Sequence, residues 1–368
     1  MLAAPVSRDD RRALIAIDAE RVLTQRELNR ALLARQLLLE RQAVSLPLAL
    51  ERIGGIQNQY APNAYIRLWS CLDGFEREAL DRALERRSVV QATLMRGTIH
   101  VVSARDYWPF AVGIHRSGRE WWLRVHKPYA ERIDLDGANA AVRELVGGTT
   151  RTRDELVGRL SAFDPRGAPR NLAWRGVDVG LVRAPPSGSW TKRRAHTFAL
   201  AEDWLGPPTV DEVAGLERLA HRYLGAFGPA TRNDLADWAG LPVTFLKDVL
   251  ERMRLRRFRS ENGDELLDLP RAPLPEPETP APVRFLPTWD ATLLVHARRT
   301  GILPERHRPR IFNTKTPQSF GTFLVDGAVA GTWRLDGGRI ATEPFERLSR
   351  ETRAELRDEA ERLAAFHA

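Results

Sequence analysis

Three observations predict a mainly α protein with β hairpins, built as tandem winged-helix units followed by a C-terminal β-rich domain. A Thr-x-x-acid-Leu pattern recurs at Thr24, Thr152, Thr231 and Thr352. The first three copies lead into helical stretches that end in paired strand-like runs around a turn. Six prolines between Leu269 and Pro282 then separate this region from a stretch of β-type residues. A capping threonine and an acid three residues on each accept a backbone N–H that the helix start leaves unpaired, so the pair marks a helix start. At roughly 150 residues per domain, 368 residues suggest two or three domains.

Residues 1–20 form an N-terminal arm, and the first winged-helix unit spans 21–140. Its first helix runs from Thr24 to about Leu39, and a second begins at Ser45 and Pro47 with Leu46, Leu50 and Ile53 on one face. Glu76–Arg86 reads as a third, and Val89–Leu94 and Thr98–Val102 as strands joined at Met95-Arg96-Gly97. The second unit, 141–207, follows a helix near Ala138–Val146. It holds the Thr152 start, a helix over Asn171–Gly180, and strands Leu181–Arg183 and Thr197–Leu200. Pro185–Ser189 and the basic run Lys192-Arg193-Arg194 form the wing between those strands. The third unit, 208–268, has helices over Val210–Leu224 and Thr231–Ala239, a turn at Gly240-Leu-Pro242, and a helix ending near Met253. Strands Arg254–Phe258 and Glu265–Leu269 flank Asn262-Gly263, a strong hairpin signal. Three helices and then a two-stranded hairpin is the winged-helix plan. Residues 269–282 read as a Pro-rich linker or extended crossing segment. The β-rich domain, 283–368, has strands Phe320–Val325 and Val329–Leu335 around Asp326-Gly327, a further turn at Asp336-Gly-Gly338 and a charged helix from Ser349.

Composition narrows the function classes. Apolar residues at 43% and charged residues at 28% fit a chain that buries a core. No apolar run approaches the ~18 residues of a membrane helix, and Met1–Arg12 carries no apolar leader segment, which predicts a cytoplasmic protein with no membrane role. The lone Cys71 cannot form an internal disulfide or a cysteine-cluster zinc site. Lys+Arg total 56 against 48 Asp+Glu, a net charge of +8, and only Lys127, Lys192, Lys247 and Lys315 are lysines. Codon bias accounts for the arginine excess but not for its clustering. Arg86–Arg132, Arg166–His196 and His296–Lys315 are each strongly basic, and the rest of the chain is net acidic. Separate basic stretches on an acidic body are the footprint of a polyanion binder.

The sequence holds no Walker loop, HExxH or GxSxG pattern, and no cofactor or metal is called for. His296 and His307 lie in a basic stretch that repels a cation, and His100 alternates with apolar residues as a structural histidine does. One segment is unusual: Gly54-Gly-Ile-Gln57-Asn-Gln59-Tyr60-Ala-Pro62. Glutamines at i and i+2 of an extended backbone point the same way. Each carboxamide offers an acceptor oxygen and two N–H donors, so the pair can hold a water but cannot exchange protons at neutral pH. From spacing alone, simple polar capping of a helix end is the favoured reading.

With Leu68-Trp69 and Thr93-Leu-Met-Arg-Gly-Thr-Ile-His100-Val-Val, this segment resembles the AlkZ/YcaQ family of bacterial winged-helix DNA glycosylases. Ala199–Leu205, Phe285-Leu-Pro-Thr-Trp-Asp290, Val325-Asp-Gly327 and Gly331-Thr-Trp-Arg334 agree, and the resemblance runs from about Val22 to the C-terminus. It implies tandem winged helices around a concave DNA-binding face, and a catalytic Gln-x-Gln or Gln-x-Asp motif. Gln57 and Gln59 match the Gln-x-Gln branch. It further implies monofunctional hydrolysis of the N-glycosidic bond of cationic alkylated purines, chiefly N7-alkylguanine, with crosslink unhooking in some members. The expected partner is double-stranded DNA carrying such purines, and the chain is expected to act as a monomer. Arg96 in the first hairpin turn and Lys192, Arg193 and Arg194 in the second wing are the candidates for phosphate contact. The competing reading is a non-catalytic winged-helix DNA-binding protein or transcriptional regulator. Against it, three units and a β domain in one chain offer no obvious dimer symmetry.

Overall fold

A computed structural model describes residues 19–163, 178–194, 197–313 and 318–368. Nearly all of the N-terminal arm, most of the helix expected over Asn171–Gly180, the end of the second wing and Lys315 lie outside the described residues. The architecture is mixed α/β, with helices arranged around four sheets.

Three of the four threonine signals build capping boxes. Thr24, Thr152 and Thr231 each accept the N–H of the acid three residues on, and that acid accepts the threonine's own N–H. At the fourth, Ser349 caps the Arg350–His367 helix and Thr352 sits in its first turn. Glu355 there accepts the Val283 N–H at 2.8 Å and ties the helix to the β-rich part. The first helix, Gln25–Arg35, stops short of Leu39, because Leu37 adopts φ +57 and the turn buries Leu37 and Leu38 together.

Leu46–Ile53, Arg77–Glu85 and the hairpin Val89–Thr93/Ile99–Ser103 form where the sequence places them. Two helices do not show in the pattern, Pro62–Cys71 and the 22-residue Ala104–Val125. The second hides because Pro109 lies within it and its buried face includes Gly113 and Ser117, which carry no apolar signal. These small residues have a use. Helix Ala104–Val125 crosses helix Glu212–Phe227 at Gly113 and Gly215 with the backbones touching, and a Cβ on Gly113 would lie 2.9 Å from the Gly215 carbonyl carbon. Beside the crossing, the half-buried Arg222 bridges Glu51 at 2.6 Å and Asp106 at 2.7 Å.

One antiparallel sheet runs in the order Ile56–Gln57, Ile99–Ser103, Val89–Thr93, Leu181–Arg183, Thr197–Leu200, Arg151–Thr152. Gln91 and Ala92 lie opposite Arg183 and Val182, so the first and second hairpins share one sheet. Helices Glu212–Phe227, Arg232–Ala239 and Val243–Arg252 lead to strands Arg256–Ser260 and Glu265–Asp268, which turn at Gly263 with φ +85. The first of these strands sits later than Arg254–Phe258, because the turn closes with Gly263 N–H on the Ser260 carbonyl and extends pairing to Arg259. Val22–Leu23 adds a third, parallel strand there.

Leu269–Pro282 forms neither helix nor strand. Proline supplies carbonyls without N–H groups, and arginines of the first helix meet that need. Arg35, Arg26 and Arg30 donate to the carbonyls of Pro273, Pro277 and Thr279 at 2.7–3.0 Å. Arg35 also grips Asp268 through two bonds of 2.7 and 2.9 Å, with both side chains buried. The segment is a strap fixed along a helix. Beyond it, Arg284–Leu286, Gly321–Val325, Ala328–Asp336 and Arg339–Pro344 form an antiparallel sheet.

The Gly113–Gly215 crossing makes a direct prediction. A Cβ at Gly215 would sit 2.7 Å from the Pro109 carbonyl oxygen and 2.8 Å from the Gly113 nitrogen. Gly215→Ala should therefore destabilise by about 1–3 kcal/mol despite its better helix propensity. Gly158→Ala, at an exposed helical site with open space, should stabilise by about 0.5–1 kcal/mol. Urea unfolding of the two variants checks the contrast.

Candidate functional site

The glutamine motif begins on the edge strand of the six-stranded sheet, with Gln57 ending the strand and Gln59 in the bend that follows. Gly54 and Gly55 end helix Leu46–Ile53 with φ +77 and +79 and turn the chain into Ile56–Gln57. A Cβ on Gly55 would lie 2.8 Å from Val102 Cγ1, so glycine is what allows this strand to lie along Ile99–Ser103. Gln57 faces His100 across the ladder. The Asn58 N–H donates to the Ile99 carbonyl at 2.7 Å. The Asn58 side-chain oxygen accepts the Ala64 N–H at 3.1 Å near the start of helix Pro62–Cys71. The middle residue therefore supports the next helix.

Both glutamine oxygens have protein donors. Gln57 Oε1 accepts from Arg96 Nη2 at 2.6 Å. Gln59 Oε1 accepts the Ile99 N–H at 2.9 Å. A guanidinium and a backbone N–H can only donate, so chemistry identifies the carboxamide oxygens. Each oxygen keeps a second lone pair. Gln57 is 9% exposed and Gln59 lies open to solvent.

The loop between strands Leu181–Arg183 and Thr197–Leu200 comes to the same place. Arg193 Nη1 donates to the Tyr60 hydroxyl at 2.7 Å, next to Gln59 in the chain, and its guanidinium lies 5.7 Å from the centre of that ring. Trp190 anchors this loop, edge-on to Tyr65 and Phe366 at 5.6 Å each, with Arg77 5.1 Å over its ring. Lys192, Arg193 and Arg194 are all exposed. The fold thus brings Gln57, Gln59, Arg96 and Arg193 together, with Lys192 and Arg194 on the adjoining loop.

Arg96, expected at phosphate, has two protein acceptors: Gln57 and the Trp238 carbonyl near the end of helix Arg232–Ala239. The residue as a whole is exposed, yet the protein around its guanidinium desolvates it and pulls it down to about 10, so it stays charged at neutral pH. His100 is buried, and its Nδ1 lies 3.0 Å from the Thr98 carbonyl, which makes that nitrogen the protonated one. Burial first, and the Arg96 charge second, lower its pKa to about 3. His100 therefore carries no proton to exchange near neutrality. A cavity of about 590 Å³ beside the hairpin turn is lined by Arg96, Trp108, Trp121, Trp122 and Arg183, and neither glutamine lines it. Among the described residues, no three His, Cys, Asp or Glu side chains converge as a metal site would require.

Sequence reasoning missed the supports. Asn63 exchanges hydrogen bonds with the carbonyl and hydroxyl of Thr288 at 3.0 and 3.1 Å. Arg67 pairs with Asp290 at 3.1 Å, with both side chains buried. The Phe285–Asp290 segment thus holds the helix that follows the glutamines, and its only sequence signal was membership of the resemblance.

The model of the family described as DNA glycosylase AlkZ-like matches residues 50–366, a span that includes both glutamines and their supports. The chain belongs to the AlkZ-like DNA glycosylase family. Membership places it among hydrolases of N-glycosyl bonds. The interstrand DNA cross-link repair glycosylase of Streptomyces sahachiroi is 26% identical over 340 residues, covering 84% of this chain and 88% of that protein. The solved structure of the S. sahachiroi DNA glycosylase AlkZ matches with a TM-score of 0.74 at 22% identity, covering 94% of this chain and 96% of the other. That likeness establishes the AlkZ fold. No described helix is long and apolar enough to cross a membrane.

Burial of His100 has a consequence for stability. Burial and Arg96 likewise lower His296 to about 3. Unfolded histidines take up protons from about pH 6.5 downward, while the folded ones resist until about 3. Their contribution to stability is therefore complete above pH 6.5 and is lost as pH falls toward 3, by up to about 1.4 kcal/mol per pH unit for each histidine. Urea midpoints should fall between pH 6.5 and 5, and His100→Gln should make that fall shallower.

Proposed function

We propose that this glycosylase excises cationic N7-alkylated purines from duplex DNA, with Gln57 and Gln59 orienting the attacking water. The observation that carries this reading is the pair of carboxamides at i and i+2, Gln57 buried at the end of the edge strand and Gln59 exposed in the bend beyond it, with oxygens held by Arg96 and the Ile99 N–H. An N7-alkylpurine already bears positive charge. When the C1′–N9 bond breaks, its electrons neutralise the base, and the leaving group needs no proton from the enzyme. Water oxygen bonds to C1′ of an oxocarbenium-like centre and releases its proton to solvent. The protein needs to supply position and oriented dipoles. The second lone pair of each held oxygen and the free N–H groups of each carboxamide suit that task. Such positioned groups are worth roughly 2.7–4 kcal/mol each, by analogy with oxyanion-hole donors. Unmodified adenine and guanine, which need a general acid to leave, should remain.

The three-helix-plus-hairpin arrangement of residues 212–268 fits a winged-helix module. The exposed Lys192, Arg193 and Arg194 would contact phosphates beside the glutamines, with the chain binding as a monomer. The named activity of the S. sahachiroi relative makes an interstrand crosslink a second substrate to test. A regulator without chemistry is disfavoured by a family match that runs through the glutamine motif.

A duplex with one N7-methylguanine, incubated with protein and then cleaved at abasic sites with alkali, tests the proposal. Wild type should exceed the spontaneous rate, with Gln57→Ala and Gln59→Ala each about 100-fold slower. Wild type equal to background refutes the activity; variants equal to wild type refute the assignment. Replacing Lys192, Arg193 and Arg194 with alanine should weaken binding to any duplex and reduce the log–log salt slope by up to about 2.7.

A further inference from the structure

We infer that Arg96 is a positioning residue, which fixes the orientation of the Gln57 carboxamide and couples it to the third helical region, and is not a phosphate contact. The inference deepens the proposed function and rests on it. Arg96 sits at φ +55, a left-handed conformation that is costly for a side chain with a Cβ. It is held there by close docking. Gly240, at φ +73, caps helix Arg232–Ala239, and a Cβ on Gly240 would come within 3.0–3.2 Å of Arg96 N, Cγ and Cα. Beside this contact the guanidinium of the exposed Arg96 reaches two protein acceptors. Nη1 donates to the Trp238 carbonyl near the helix C-terminus, where the dipole favours a cation, and Nη2 donates to Gln57 Oε1.

The fork therefore does two things at once. It ties the motif strand to a helix whose Trp238 is buried, and it dictates which end of the carboxamide faces outward. Because guanidinium has no acceptor, Gln57 must turn its oxygen to Arg96 and its NH2 away. Gln59 turns its oxygen to the Ile99 N–H, so both amide groups are locked by donors from the hairpin that bears Arg96. A lysine at 96 has a single ammonium without the planar fork that spans two fixed acceptors.

Arg96→Met and Arg96→Lys separate the roles. Two quantities are measured: single-turnover excision from the N7-methylguanine duplex, and affinity for an undamaged duplex across salt. Arg96→Met should lower the excision rate about 10- to 100-fold, keep affinity within twofold of wild type and leave the salt slope unchanged. It should add no loss in a Gln57→Ala background. Arg96→Lys should recover part of the rate. An unchanged rate, losses that add to those of Gln57→Ala, or a salt slope reduced by about 1 would overturn the inference in favour of a phosphate contact or no role. If Arg96→Met does not fold, the Arg96→Lys comparison carries the test. If wild type itself does not excise, the N7-alkylpurine reading has failed, and the crystal structure of Arg96→Met decides the positioning claim: a changed Gln57 rotamer supports it and an unchanged one refutes it.

Discussion

The turn Met95–Gly97 and the C-terminus of helix Arg232–Ala239 meet at van der Waals contact, and the geometry of the site depends on that meeting. Glycine at 240 permits the approach, Arg96 spans it, and Gln57 lies at the far end of the span. The same hairpin supplies the strand along which the motif runs and the Ile99 N–H that holds Gln59. Neither carboxamide can turn freely while these donors are in place. A motif of two flexible polar side chains thus becomes a fixed pair of dipoles, which catalysis by orientation requires.

Arginine has three uses in this chain. Arg26, Arg30 and Arg35 supply donors to a proline-rich strap that has few of its own. Arg67, Arg222 and Arg299 join helices to neighbouring segments through carboxylates. Lys192, Arg193 and Arg194 remain on an exposed loop beside the motif. Net charge alone does not separate these groups, because a buried bidentate pair and a solvated wing count equally in the sequence. The basic stretches over Arg86–Arg132 and Arg166–His196 each mix residues bound to the protein itself, such as the exposed Arg96 on Gln57 and the buried Arg183, with solvated ones.

Local signals were legible where one short segment settles the outcome. The capping threonines, the Asn262-Gly263 turn and the two hairpins all read directly from the sequence. Helix Ala104–Val125 did not, because its contact face is made of glycine, serine and aromatics around an internal proline. The shared sheet did not either, since the pairing of Gln91 with Arg183 joins strands far apart in sequence and carries no local mark. The same holds for Arg96. Nothing at position 96 tells a phosphate contact from an inward clamp; the difference lies in Trp238 and Gly240, more than a hundred residues away.

The most direct measurement is a crystal structure of this protein on a duplex carrying a cationic pyrrolidine abasic nucleotide, which mimics the oxocarbenium centre. The expected result places a water within hydrogen-bond reach of both Gln57 and Gln59 and against the atom standing for C1′, with Arg96 still on Gln57. A complex in which the glutamines lie away from the cationic ring, with other side chains lining it, contradicts the assignment of this site.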